Sequence, residues 1–150
     1  MRHRDVMVHT TDDIKTYPFM YARTLMIFHA KVRLGGRGEW HSVEFLWVRW
    51  LSLDQRGGPN NLRLDRVRYR RGDRAFGFLD PAQIIRGCHL IPAFHYRRTT
   101  DLLGPSLCRD SRHGDWSKYY VGRFVDRDMM MRYLGLGVGH LNTPDFPHEI

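Results

Sequence analysis

A mainly β fold with two short helices, curled into a small and partly open barrel, is what this 150-residue sequence predicts. Three observations predict it. Apolar and polar residues alternate at period two over long stretches, which is the spacing of strands with one wet face. Aromatic residues make up 13% of the chain, and flat rings pack well on pleated surfaces. No helical stretch is long enough for the repeated crossovers of a parallel sheet.

The elements follow in order. Residues 1–16 (MRHRDVMVHTTDDIKT) are polar and predict a loose N-terminal lead-in with a short strand at Val6–His9. A single β-rich domain is expected over 17–134. In YARTLMIFHAKVRL (21–34), Ala22, Met26, Phe28, Ala30, Val32 and Leu34 share one face, and Arg23, His29, Lys31 and Arg33 share the other. GGRG (35–38) supplies residues able to adopt positive φ, so a hairpin turn is expected. WHSVEFLWVRWL (40–51) returns with Val43, Phe45 and Trp47 on one face and Leu46, Val48 and Trp50 on the other. DQRGGPNN (54–61) is a loop by composition.

LRLDRVRYRRGDR (62–74) reads as a basic strand and AFGFL (75–79) as a short one. Asp80 and Pro81 suit the N-cap and first position of a helix, AQIIR gives a turn and a half, and Gly87 suits a closing position at positive φ. HLIPAFHY (89–96) resumes as a strand, with Pro92 marking an edge or a bulge. Residues 97–115 read as a polar loop and WSKYYVGRFV (116–125) as the last strand. DRDMMMRYLG (126–135) reads as a closing helix, capped by Asp126 and ended by Gly135. Residues 135–150 form a flexible Gly/Pro tail.

Hydrophobic residues at 42% and charged residues at 27% describe a globular chain. Two cysteines make no disulfide framework, and no apolar leader opens the chain, so reduced thiols and an intracellular setting are expected. No apolar run reaches membrane-spanning length. The formal net charge is +8, and all but three of the 24 Lys+Arg are arginines. Their planar forks suit phosphates, carboxylates and aromatic faces.

Several constellations could carry chemistry. Cys88, His89, His95, Cys108 and His113 have the residue types of a zinc or thiol site. But Cys88 and His89 are adjacent, and on a strand their side chains point to opposite faces. A buried Cys88 acting as a small hydrophobe is favoured. Asp126 and Asp128 could hold a divalent ion, but they also sit where first-turn acids cap a helix, and capping is favoured. GLGVGH (135–140) lacks the strand-before, helix-after context of a phosphate loop. Ser106 has no nucleophile elbow around it. The basic residues make the better case. Arg66, Arg68, Arg70 and Arg71, with Tyr69 interleaved, suggest a strand face or rim able to track phosphates, and Arg23, Lys31 and Arg33 could extend it if the first strand is near. The competing account is a charged strand edge that resists aggregation.

YARTLMIFHAKVRL, VEFLWVRWL, AFGFLDPAQIIRGCHLIPAFHYRRTTDLLG and DWSKYYVGRFVDRDMMMRYLGLGVGH resemble the C-terminal region of Plavaka-type transposon proteins of the CACTA superfamily, from mushroom-forming fungi. The resemblance covers Tyr17 to His140. The order of strands is also similar to the small β domain that follows the transposase in plant En/Spm elements. Such transposases place catalysis in an upstream RNase H-like domain with three acidic residues, and the resemblance carries none of these onto this sequence. It implies a non-catalytic accessory domain, and its tryptophan-rich strands are similar to SH3- and BAH-like barrels by fold analogy. The expectation is therefore DNA or chromatin association in the nucleus through Arg66, Arg68, Arg70, Arg71, Lys31 and Arg33, with no metal, cofactor or membrane. The transposase core, in cis or in trans, is a further expected partner. The alternatives are a protein–protein interaction module of a transposase, or a decayed remnant without function.

Overall fold

The computed structural model describes residues 4–10, 18–54, 64–124 and 127–133. Among the described residues, ten strands form in chain order: β1 (Asp5–His9), β2 (Phe19–Val32), β3 (His41–Leu53), β4 (Arg66–Tyr69), β5 (Phe76–Leu79), β6 (Ile84–Gly87), β7 (Leu90–Pro92), β8 (Arg98–Thr99), β9 (Asp115–Trp116) and β10 (Tyr119–Val121). One α-helix, α1 (Arg127–Tyr133), is found among the described residues. The mainly β expectation holds.

The main sheet runs β6-β1-β2-β3-β4-β10-β7, with β5 beside β3, and all these pairings are antiparallel. Only Cys88 and His89 separate its two outer strands, β6 and β7. The Cys88 N–H donates to Asp5 O on one side at 2.9 Å, and the His89 carbonyl accepts from Gly122 N–H on the other at 2.8 Å. The two edges are thus halves of one bent strand, and the sheet curls back on itself. Closure of this kind pairs backbone that an open sheet would leave exposed. β1, the strand expected inside the N-terminal lead-in, is paired on both sides.

Alternation along the strands builds two cores. Met7, Tyr21, Leu51, Val67, Leu90 and Val121 come from six strands and fill the curl, joined by Met129 of α1. Their sequence neighbours face the other way: Val8 and Ala22 join Leu46, Val48 and Leu79 in a second cluster. Complete burial of a Leu, Val or Met side chain contributes roughly 1.5–3 kcal/mol each. Ile84 closes the second cluster as the chain passes from β5, beside β3, to β6, beside β1.

That passage corrects the first predicted helix. Pro81–Gln83 is a single 3₁₀ turn, capped as expected by the Asp80 carboxylate, which accepts from Ala82 N–H at 2.8 Å. Ile84 is already extended, and Ile84–Gly87 is strand β6. The waiting edge of β1 supplies a backbone ladder, and β-branched isoleucines favour it over a free helix. Gly87 is not among the glycines at positive φ. Two further expectations change. The 89–96 strand stops at Pro92 and gives way to a 3₁₀ turn over Phe94–Tyr96, so His89 and His95 share no strand. The 116–125 strand is split into β9 and β10. Asp126, Gly135 and the tail at 135–150 lie outside the described residues.

β2 carries a bulge. Thr24 pairs with Val48 and Met26 with Trp47, so Leu25 has no opposite number. The bulge switches the face on which later side chains lie. Ala22 belongs to the second cluster, whereas Met26 and Phe28 lie on the same side as Tyr21. The sequence had placed Ala22 and Met26 on one face.

Candidate interaction surface

Among the described residues, the largest fully buried side chain is Arg49. Its Nη1 and Nη2 donate to the two oxygens of Asp115 at 2.9 and 2.8 Å, and Nη1 also donates to Cys108 O at 3.0 Å. Its guanidinium lies 3.8 Å from the Tyr69 ring centroid. Arg23 is held by Asp5, at 2.7 Å through Nε and 3.0 Å through Nη2, and also by Asp110. Asp110 accepts from Tyr69 OH at 2.7 Å, from Tyr119 OH, and from Trp116 N–H at 2.8 Å. Burial pushes the Tyr69 and Tyr119 phenols well up, with Asp110 adding to it and Arg23 opposing. This network ties the polar segment 97–115 over the end of the curled sheet. Every charge in it has a protein partner, so its chemistry is structural.

The predicted basic face divides. Arg66 Nε and Lys118 Nζ both donate to Asp54 Oδ2, at 2.9 and 2.5 Å. Burial works to raise the Asp54 carboxyl, but Lys118 and Arg66 outweigh it and hold the group below the usual range. Arg70 packs its Nη2 3.3 Å from Met20 Sδ. Arg68 and Arg71 are exposed, as are Lys31 and Arg33. Lys31 pairs with Ser42 and Arg68 with Ser52, at opposite ends of β3. At about 3.3 Å per residue, these two groups stand roughly 30 Å apart. They do not make one continuous track.

The other candidates are also dispersed. Cys88 sits in the first core, where burial and then Asp5 push its thiol up; Cys108 is half-buried, and both thiols are free. His95 and His113 are exposed. No group of three or more His, Cys, Asp or Glu residues placed to hold a metal occurs among the described residues. Asp128 pairs with Arg86 and, 3.2 Å away, with Arg132. Ser106 Oγ accepts from Cys108 N–H at 3.1 Å. GLGVGH lies outside the described residues. Trp47 and Trp50 occupy opposite faces of β3, and Trp116 lies in β9 against Phe94, under Arg98 at 4.2 Å. The three indoles therefore do not converge into the aromatic cage by which a chromatin reader would hold a cationic side chain.

The distinctive surface is the outer half of the β2–β3 hairpin. Val43, Phe45 and Trp47 do share a face, joined across the register by Val32, Ala30, Phe28 and Met26. Phe45 stacks on Phe28 at 5.3 Å and meets Phe78 of β5 edge-on at 5.3 Å. Met26 is 50% exposed and Phe78 70%. Lys31, paired with Ser42, lies on the opposite face of the hairpin, and Arg33, near the tip, lies 5.0 Å from the ring of Trp40. Strand pairing on this side of β3 ends for a definite reason, although the Pro81–Gln83 turn stays close to the strand. β5 pairs Phe76–Leu79 against Arg49–Leu46, and continuing that register would set Pro81, which has no N–H, opposite Glu44. The ladder stops there.

Comparison with family models, with curated proteins and with solved structures gave no match. Among the described residues, no helix is long and apolar enough to cross a membrane.

Proposed function

We propose that this chain is a non-catalytic binding module of a transposon-derived protein, an SH3- or BAH-like barrel that docks onto a protein partner through its β2–β3 hairpin. One observation carries this reading: the hairpin presents an apolar aromatic face, with Phe78 70% and Met26 50% exposed, on the side of β3 that carries Leu51 of the first core. Aromatic side chains clustered on an exposed strand face suit strand-by-strand docking of a partner segment. The partner suggested by the sequence resemblance is a transposase core, in a nuclear setting. The curled sheet, with cores on both its faces, supports the barrel reading. The test is titration of the chain against the RNase H-like core of a Plavaka-type protein. Complex formation that is lost in Phe78→Asp supports the reading; absence of a complex overturns it.

DNA or chromatin association is the second reading, favoured by the net charge of +8 and the exposed Arg68, Arg71, Lys31 and Arg33. Contacts of this type are to phosphates, so affinity falls steeply with salt. Duplex binding that persists at about 0.15 M salt and is lost in Arg68→Ala with Arg71→Ala would make this the leading reading.

A further inference from the structure

We propose that β3 accepts an extended acidic peptide as an added strand along His41–Phe45. This rests on the hairpin being the contact element and specifies what it takes up.

The backbone directions define the site. Trp50 N–H donates to Ala75 O at 2.8 Å, and Trp50 O accepts from Arg70 N–H at 2.9 Å. Backbone groups alternate sides along an antiparallel strand. The even-numbered residues of β3 therefore aim their N–H and C=O groups away from β2. Leu46 and Val48 meet β5. Ser42 and Glu44 come next, and no described strand pairs with them on that side. An incoming strand lies in line with β5, beyond Pro81, and exchanges hydrogen bonds with these two residues. Alternate side chains of that strand fall on the face of Val43, Phe45 and Phe78. Main-chain bonds supply affinity and the apolar face supplies selectivity in such strand addition.

Area and charge choose the occupant. Three strands about 4.8 Å apart, over about five residues, give a face of roughly 200–250 Å². A stable flat interface needs about 800 Å² per partner, so the apolar face needs the backbone edge beside it, and an extended segment of a partner protein uses both. A second copy at the same edge would also bring together two chains of net charge +8 each. A peptide with apolar residues at alternate positions and a net negative charge complements a chain of net charge +8 instead.

The test selects binders to the full chain from a display library of random short peptides, then measures the selected peptides against variants. Ser42→Pro and Glu44→Pro each delete one outward N–H, and proline is tolerated on strand edges. Circular dichroism and a cooperative unfolding transition verify that each variant folds, and Phe78→Ala probes the apolar face without touching the backbone. The proposal predicts selected peptides that alternate apolar residues and carry net negative charge. It predicts about tenfold weaker binding in each proline variant, the loss of one to two backbone bonds. Selected peptides that bind both proline variants unchanged overturn strand addition and leave the hairpin reading standing. Self-association of the chain that Ser42→Pro abolishes overturns the peptide as occupant. No enriched peptide, together with duplex DNA bound at about 0.15 M salt, overturns both this inference and the protein-docking reading.

Discussion

Arg23 and Arg49 stand directly opposite each other in the β2–β3 register, and both are withdrawn from solvent. Like charges in that relation repel. They coexist because each has its own carboxylates: Asp5 and Asp110 for Arg23, and Asp115 for Arg49. Two of these three acids come from the segment 97–115. The polar loop is thereby a closing plug for the sheet, held by charge where a core would use methyl groups.

Removing one partner should cost far more than removing both. Asp115→Ala leaves the Arg49 guanidinium buried and uncompensated, an expected loss of about 3–5 kcal/mol. The pair Arg49→Met with Asp115→Leu should recover most of that, since apolar replacement of a buried ion pair is often neutral or better. Urea denaturation of the single and double variants checks this. Equal losses in the two would show that Arg49 is not a desolvated charge.

The plug also depends on Gly114, which sits at φ +102, where a Cβ would come within 2.5 Å of Thr99 O. Gly114→Ala should destabilise the chain by at least about 1 kcal/mol. It should also speed amide exchange in 97–116 more than in β1 or β2. Unchanged exchange there would count against the plug.

Alkaline pH should weaken the fold. Burial raises Tyr69, Tyr119 and Cys88 above their ordinary values of 10.0, 10.0 and 9.0. The folded state therefore keeps protons that the unfolded chain gives up. This contribution is complete below the ordinary values and is lost as pH rises past them, since unfolding is then linked to proton release. The urea midpoint should begin to fall above about pH 9 and fall less steeply in Tyr119→Phe. A midpoint flat from pH 8 to pH 11 would contradict the burial of all three groups.

The two thiols should differ in reactivity. Cys88 is buried with its thiol pushed up, and Cys108 is only half-buried. Ellman titration should find one fast thiol in the native chain and two after denaturation. A fast Cys88, identified with Cys108→Ser, would place that residue outside the core.

Strand positions and faces were readable in advance because period two is a local signal. Val43, Phe45 and Trp47 do share a face, and Asp80 does cap its turn. The Leu25 bulge was not readable, since a single extra residue leaves the apolar pattern intact while turning the later side chains to the other face. Isoleucines 84 and 85 suit a helix or a strand, and only the edge of β1, far away in sequence, decides between them. The pairing of Arg49 with Asp115 spans 66 residues and has no local signature. Arg66 lay in an apparent basic stripe, but Asp54 and Tyr96, brought in from outside the strand, withdraw it. The apolar hairpin face was visible, but whether anything covered it could not be read from periodicity.

The central claim is that the β2–β3 hairpin, not β4, is the contact element. The most direct measurement is residue-resolved amide hydrogen exchange of the chain, alone and saturated with a library-selected peptide. The account predicts slowed exchange at Ser42 and Glu44, with Arg66–Tyr69 unchanged. Slowing at Arg66–Tyr69, with Ser42 and Glu44 still exchanging freely, would contradict it.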